Sequence, residues 1–299
     1  MTGKRAVLGL VILTAAGGAI ALTIKAMKPP AAPTAIAIHK VAGAQWRPEI
    51  GQPLFIAVLG SDARSGPTSG GGGRCDAIHI IAINPAAKAG TILNFPRDSY
   101  VDVAGRGSDK INAACAVGGG AGVMVETLKK LTGIPIQYYA ITEFTHFRSF
   151  IDELGGIDVD VPYEMRDVPY SGANFNKGTQ RMDGGQALAF TRNRHDTPKG
   201  DFSRTENQGL FILAALQKFR AEATDPHRIF DYLKVVRRHT DISIPIPEMI
   251  KLALLAREID LASLRNVTVD GSTGAAGGAS VVFLNPGDTY SRVSDDAIL

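Results

Sequence analysis

From Pro53 onward the chain alternates short apolar runs with helical patterns. Leu54–Leu59 (LFIAVL), closed by Gly60, reads as a buried strand, and so does Ala77–Ile83 (AIHIIAI). Asn84–Gly90 makes a turn, and Thr91–Phe95 a third strand ended by Pro96. The glycines of Gly118–Gly122 open a helix running to about Leu131, which Gly133 and Pro135 stop. Gln137–Ile141 is a further strand. Phe144–Leu154 is a helix whose Phe147, Phe150 and Ile151 sit at helical spacing and read as core rather than as ligand contacts. Ile157–Val161 alternates as a half-exposed strand, with Asp158 and Asp160 solvated on its polar side. A polar, glycine-rich loop is expected over 162–183, then a short helix over 184–190. The helix expected over 201–220 is polar in its first two turns and apolar later (Leu210, Leu213, Leu216). Helical patterns near 229–238 and 247–258 and strands at 265–270 and 280–284 complete the order. Such alternation predicts an α/β chain, a three-layer α/β/α sandwich around a central mixed sheet.

The first residues follow another pattern. Ala6–Ile24 is an uncharged apolar run between Lys4, Arg5 and Lys25, Lys28, about the length a bilayer core requires. It predicts one transmembrane helix with its N-terminus in the cytoplasm. A cleaved signal peptide, with Ala19-Ile20-Ala21 as its small-residue site, is the competing reading. The expected organisation is a tail and anchor over 1–28, a proline-containing extracytoplasmic linker over 29–50, and a globular domain over 51–299. Export permits a disulfide between Cys75 and Cys115, the two cysteines of the chain, although two independent buried thiols would satisfy the same count. With a net charge of +3, the chain offers no bulk electrostatic case for nucleic acid, so any anion site must be local.

Local charge concentrates in two places. If the first three strands run up, down and up, then Asp62, Arg64, Arg74, Asp76, Arg97 and Asp98 all gather at one sheet edge, where loops carry polar groups on a rigid frame. The second place is Thr191–Asp196 (TRNRHD), followed by Asp201–Gln208 (DFSRTENQ). Pro198 and Gly200 break the helical pattern, so Arg192 and Arg194 are expected in extended chain, pointing the same way. Asp201, Arg204 and Gln208 fall on one helix face. Guanidinium forks match phosphate oxygens, and Mg²⁺ accepts one or two carboxylates plus substrate phosphate, with Asp62 and Asp76 as the natural candidates. Ser-His-Asp chemistry has no suitable spacing, His79 lying inside a strand, and no CxxC or His-cluster motif is present.

The motifs LGSDAR, GRCDAI, NFPRDS, KINAA, LTGIPIQYYAI, ELGGIDVDVP and TRNRHD…GDFSRTENQ, in this order, resemble the LytR-CpsA-Psr family, closely over Pro53–Gln208 and loosely beyond. The resemblance implies a membrane-anchored, extracytoplasmic, Mg²⁺-dependent phosphotransferase. Such an enzyme moves a glycopolymer from a polyprenyl-pyrophosphate carrier onto a peptidoglycan sugar hydroxyl as a phosphodiester. It further implies that Asp62 and Asp76 hold the metal. Arg64, Arg74, Arg97, Lys110, Arg192, Arg194, Arg204 and Gln208 would grip the pyrophosphate. Arg97, Arg192, Arg194, Asp201 and Arg204 form the catalytic set, with Asp201 orienting an arginine or helping to activate the acceptor. The lipid tail is expected in an apolar groove between helices and sheet. Where the family pattern has Arg-Ser-Asp this chain has Arg74-Cys75-Asp76, and Cys115 follows the Lys-Ile-Asn segment, so a disulfide would join two loops of the site. A pyrophosphate-lipid hydrolase and a non-catalytic carrier-binding scaffold are the alternatives. A transcription regulator conflicts with the anchor, the near-neutral charge and the absence of a helix-turn-helix pattern.

Overall fold

The apolar runs become strands. The computed structural model describes residues 36–48, 51–62, 73–242 and 244–299. The expected span over 6–24, Arg64, and most of the glycine-rich stretch 69–73 lie outside these residues; no described helix is long and apolar enough to cross a membrane. In chain order the first strands are β1 (Ile36–Lys40), β2 (Leu54–Ser61), β3 (Cys75–Asn84) and β4 (Ala89–Asn94). The hairpin β5 (Tyr100–Val103) and β6 (Gly107–Lys110) then leads through a 3-10 turn, Ile111–Ala116, to helix α1 (Ala121–Thr132). Next come β7 (Tyr138–Glu143), α2 (Phe144–Glu153) and four short strands, β8 (Ile157–Val161), β9 (Met165–Asp167), β10 (Ala173–Phe175) and β11 (Gly178–Met182). Helices α3 (Gly184–Arg192), α4 (Asp201–Glu222) and α5 (Pro226–His239) precede β12 (Thr240–Ile242) and α6 (Ile246–Glu258). The chain ends in β13 (Leu264–Thr268), the hairpin β14 (Gly271–Ala276) and β15 (Ala279–Leu284), and α7 (Thr289–Asp296).

Seven strands form one mixed sheet in the order β12-β1-β7-β2-β3-β4-β13. The pairs β2/β3 and β3/β4 are antiparallel, whereas β2/β7 and β4/β13 are parallel. The up-down-up course inferred for the first three core strands is therefore present. Alternation along β3 sorts its side chains. Ile78, Ile80 and Ala82 pack with Met124, Val125 and Leu128 of α1, while Ile81 and Ile83 face the side of Ile229, Leu233, Met249 and Ala253 from α5 and α6. Apolar cover on both faces explains why these runs carry little polar alternation. The central three-layer arrangement is as expected.

Two expectations need correction. The segment expected as linker contributes β1, which pairs with β7, and Trp46 is buried in the core beside α5 and α6. Its alternating Ala37-Ile38 pattern was hidden in a proline- and alanine-rich context. The expected loop over 162–183 contains β9, β10 and β11, which with β8, α2 and α3 enclose a third apolar cluster around Val159, Phe175 and Phe190. Strands of three residues are too short for their period to register in sequence.

Candidate functional site

One end of the sheet collects the charges. Cys75 and Cys115 are joined by a disulfide (Cα–Cα 5.6 Å), so two free thiols are excluded, and the start of β3 is tied to the 3-10 turn. Immediately after Cys75, both carboxylate oxygens of Asp76 accept from Arg97 Nη1 at 2.9 Å. Asp98 accepts from Lys110 Nζ at 2.8 Å. Asp62 Oδ1 accepts from the Arg74 backbone N–H at 2.7 Å, closing the β2/β3 end.

The second contribution comes from α3 and α4. A capping box starts α3, with Asp183 and Gln186 each accepting the other's backbone N–H. The helix runs through Arg192, so Arg192 is its last residue rather than extended chain; Asn193 then turns extended. Asn193 is buried, while Arg192 and Arg194 on either side of it both line a cavity of about 500 Å³. Arg192 also lies over the Phe144 ring, 5.1 Å from its centroid. Helix α4 brings in Arg204 and Gln208. Its Gly209 fixes how closely it can approach, because a Cβ there would lie 1.9 Å from Asn266 Oδ1 and 2.9 Å from Asn94 Oδ1. Only a residue without a side chain lets the helix rest on β4 and β13.

The cavity lies between the sheet ends and α2, α3 and α4. One part of its lining is polar: Asp76, Arg97, Arg192, Arg194, Arg204 and Gln208. The other is apolar: Val58, Leu59, Phe144, Phe147, Leu188, Phe211 and Ile212. Phe147, read as core from its spacing, is thus also cavity wall. Among the residues expected to grip an anion, Arg74 and Lys110 do not line the cavity; Arg74 is exposed, with its backbone N–H on Asp62, and Lys110 is taken up by Asp98. Asp62 is likewise not part of the lining. Asp201 stands behind it, with Oδ1 2.7 Å from Arg204 Nη2 and 3.9 Å from Arg97 Nε.

The electrostatics are unbalanced. Burial pulls the Arg97 guanidinium's pKa down, but Asp76, Asp201 and Asp98 outweigh it and hold the group above its ordinary value. For Arg204, only 4% exposed, burial dominates; Asp201 opposes it, Arg97 adds to it, and the net direction is downward. A guanidinium stays charged in a protein, so Arg204 is a buried cation short of negative charge. With Asp98 balanced by Lys110, four guanidinium groups stand against Asp76 and Asp201, an excess of two positive charges. Arg97 Nε and Arg204 Nε make no hydrogen bond among the described residues, and Arg204 Nη2 meets Asp201 as an ion pair without hydrogen-bond alignment.

Sequence reasoning missed His79, Tyr170 and His195, all of which line the cavity. Asn94 Nδ2 donates to the Val267 carbonyl (3.1 Å) and to Asn266 Oδ1 (2.7 Å). Asn94 Oδ1 is therefore the acceptor facing His79 Nδ1 at 2.7 Å, which places the proton on Nδ1. Burial, only partly opposed by the Asn94 and Gln208 side chains, lowers the His79 pKa to about 4, so the ring is neutral near pH 7. The parity of β3 was the available signal, since His79 shares a face with Ala77 and Ile81.

No group of three or more His, Cys, Asp or Glu side chains that could hold a metal ion occurs among the described residues. Asp76 and Asp62 offer hard oxygens at neighbouring strand ends. Such oxygens are the kind Mg²⁺ takes, one or two carboxylates with water and substrate oxygens in the remaining positions, although both Asp76 oxygens already accept from Arg97 and Asp62 lies outside the cavity lining.

The chain resembles known proteins in sequence and in fold. The LytR_cpsA_psr family model matches residues 27–296. The polyisoprenyl-teichoic acid–peptidoglycan teichoic acid transferase TagU of Bacillus mycoides is 37% identical over 168 residues, 56% of this chain and 53% of that protein. TagU of Bacillus subtilis is 31% identical over 198 residues, covering 66% of this chain and 62% of its own length. The chain thus spans between half and two thirds of these two relatives. The crystal structure of B. subtilis TagV superimposes with a TM-score of 0.65 at 28% identity, covering 81% of this chain and 94% of that one. A structure of TagT bound to LIIa-WTA gives 0.69 at 23% identity, covering 87% and 96%, a likeness of fold.

Proposed function

The chain belongs to the LytR_cpsA_psr family, and from that premise we propose that it is a glycopolymer transferase. It would move a glycan from a polyprenyl-diphosphate carrier onto a peptidoglycan sugar hydroxyl and leave a phosphodiester. The observation that carries this reading is one cavity with an arginine-lined part and an apolar wall. Such a lining suits an amphiphile whose anionic joint separates a hydrocarbon from a polar group. A diphosphate diester carries one negative charge per phosphate, which matches the excess of two positive charges on the four guanidinium groups. The relatives are named as transferring teichoic acid from a polyisoprenyl-linked form to peptidoglycan, which supports a lipid-carried glycan as donor and peptidoglycan as acceptor.

In this reading the acceptor oxygen bonds to the glycan-bearing phosphorus while the bond to the bridging oxygen breaks. Prenyl phosphate departs, and the hydroxyl proton is released to it. Arg97, Arg192, Arg194 and Arg204 hold the diphosphate and neutralise charge as the anhydride opens, where positioning and electrostatics supply most of the catalysis. Asp201, outside the cavity lining, orients Arg204 and Arg97 instead of taking the proton. Gln208 donates to the Asp76 and Thr191 carbonyls, joining β3 to the end of α3. Mg²⁺, when bound through Asp76 and Asp62, would add positive charge to the diphosphate. The disulfide fits an oxidising, extracytoplasmic compartment, and residues 6–24 would supply the anchor.

The test is incubation of the purified chain with a prenyl-diphosphate glycan and peptidoglycan fragments, with and without Mg²⁺. Transfer of the glycan phosphate with release of prenyl phosphate is expected, and Arg97→Ala and Arg192→Ala should each abolish it. Release of free glycan phosphate would make the protein a hydrolase, and binding without turnover a carrier-holding scaffold. Full activity in both variants would remove the arginines from the mechanism.

A further inference from the structure

At the cavity lip, the turn between β9 and β10 holds an exposed aromatic ring in a fixed position. Tyr170 is 68% exposed, yet it lines the cavity. One side of it rests on His195, with ring centroids 4.2 Å apart and planes tilted by 38°. His195 is itself held, since its Nδ1 lies 3.2 Å from Oδ2 of Asp167, a carboxylate that is almost completely buried. The same Asp167 builds the turn: its carbonyl accepts from the backbone N–H groups of Tyr170, Ser171 and Gly172 at 3.0–3.3 Å. A second clip joins the two segments, because the Arg166 backbone N–H donates to the Asp196 carboxylate. One buried residue thus sets both the turn that carries Tyr170 and the ring that backs it. His195 directly follows Arg194, one of the cavity's cations.

An exposed ring alone needs no partner, but this one is backed by His195 and lines the cavity, so it meets whatever the cavity holds. Here it stands beside the guanidinium groups that would hold a diphosphate. We propose that Tyr170, backed by His195 and fixed through Asp167, is a stacking subsite for a pyranose ring next to the diphosphate. A pyranose offers an apolar C–H face that covers an aromatic ring, with hydroxyls at its rim left in water. The inference rests on the transferase reading and deepens it by naming contacts for the sugar. Two sugars come near such a site, the one linked to the carrier and the acceptor on peptidoglycan. The carrier-linked one is the assignment, since it is bonded to the phosphate that the neighbouring Arg194 would meet. The flanking Val168 and Pro169 are also exposed, which would suit a membrane contact. However, Tyr170 lines the cavity and Val168 does not, and the adjoining Glu164 and Arg166 are exposed charges.

The experiment is calorimetric titration of the intact protein with two short-chain probes, farnesyl diphosphate and its N-acetylglucosaminyl diester. Aromatic stacking of this kind is worth roughly a tenfold change in affinity. Tyr170→Ala is expected to weaken the glycosylated probe about tenfold and leave the sugar-free probe within about twofold, with Tyr170→Phe close to wild type. An unchanged thermal midpoint in Tyr170→Ala would exclude unfolding as the cause. Equal losses for both probes, or none, would overturn the subsite. A loss confined to soluble muramyl-peptide acceptors in the transfer assay would reassign the ring to the acceptor and overturn the carrier assignment. Reduced flotation on phosphatidylglycerol vesicles with unchanged probe affinities would make the turn a membrane contact instead. If neither probe binds the wild-type protein, the diphosphate reading itself fails. If farnesyl diphosphate binds without discrimination, only the stacking proposal does.

Discussion

Arg204 and Asp201 allow a direct test of whether the buried charge serves the fold or the ligand. Across the 2.7 Å contact the attraction is roughly 6 kcal/mol at an effective dielectric of about 20. Removing two ions from water costs several kcal/mol each, so the pair as a whole contributes little to stability. Breaking it from one side is different. Asp201→Asn leaves a guanidinium that is 4% exposed without its nearest counter-charge, and should cost about 3 kcal/mol, near the low end for buried pairs because Asp76 remains close. Arg204→Met removes the buried cation and its repulsion by Arg97 and Arg194; the Asp201 it leaves is 18% exposed and keeps Arg97 Nε at 3.9 Å, so this variant should stay within about 1 kcal/mol of wild type, as should the double variant. Urea unfolding monitored by circular dichroism measures all three. Pyrophosphate at about a hundred times its dissociation constant should stabilise wild type by about 2.7 kcal/mol and Arg204→Met by much less. Should Arg204→Met prove as unstable as Asp201→Asn, the pair would be a structural clamp, and its role as a waiting anion site would be wrong.

Three further outcomes follow from the same frame. His79, with its folded pKa lowered to about 4 from an unfolded value near 6.5, contributes stability that is fully present above about pH 6.5 and is lost as pH falls towards 4, amounting to about 3 kcal/mol. In His79→Gln that part of the pH dependence should vanish, and an identical slope in urea titrations from pH 4 to 7 would show that another group carries it. The disulfide closes a separation of 40 residues, which the loop-entropy relation values at about 4 kcal/mol. Reduction should therefore lower the urea midpoint and weaken pyrophosphate binding by loosening Asp76, whereas intact affinity after reduction would separate the clamp from the site. Gly209→Ala gains about 1 kcal/mol of helix propensity but drives a Cβ to 1.9 Å from Asn266 Oδ1. Because Asn266 is pinned to Asn94 and to the Glu206 carbonyl, a net loss of about 2 kcal/mol with lowered turnover is expected, and a net gain in stability would refute the close approach.

The parts of this site readable in the sequence are those set by local chemistry. The turn at Asn84–Gly90 and the stop at Pro96 marked out β3 and β4, and the up-down-up course supposed for β2, β3 and β4, present in the sheet, gathers Asp76, Arg97 and Asp98 at one edge. Pro198 and Gly200 separated α3 from α4, so Arg192, Arg194 and Arg204 could be assigned to one surface even though Arg192 closes a helix. What stayed hidden depends on which residue lies across a strand or under a helix. Asp62 and Arg74 close on each other at the β2/β3 end, and Lys110 is claimed by Asp98, pairings that composition does not announce. His79 faces Asn94 because β3 and β4 are in that register, and Asn94 is fixed in turn by β13, more than 170 residues away. That chain of amides runs from the imidazole across β4 to β13, and Gly209 lets α4 settle on it. Arg204, the cation of α4 that lines the cavity, therefore reaches it through contacts made by neutral residues. Charge can be counted along the chain, but its convergence here is enforced by Asn94, Asn266 and Gly209, none of which carries any.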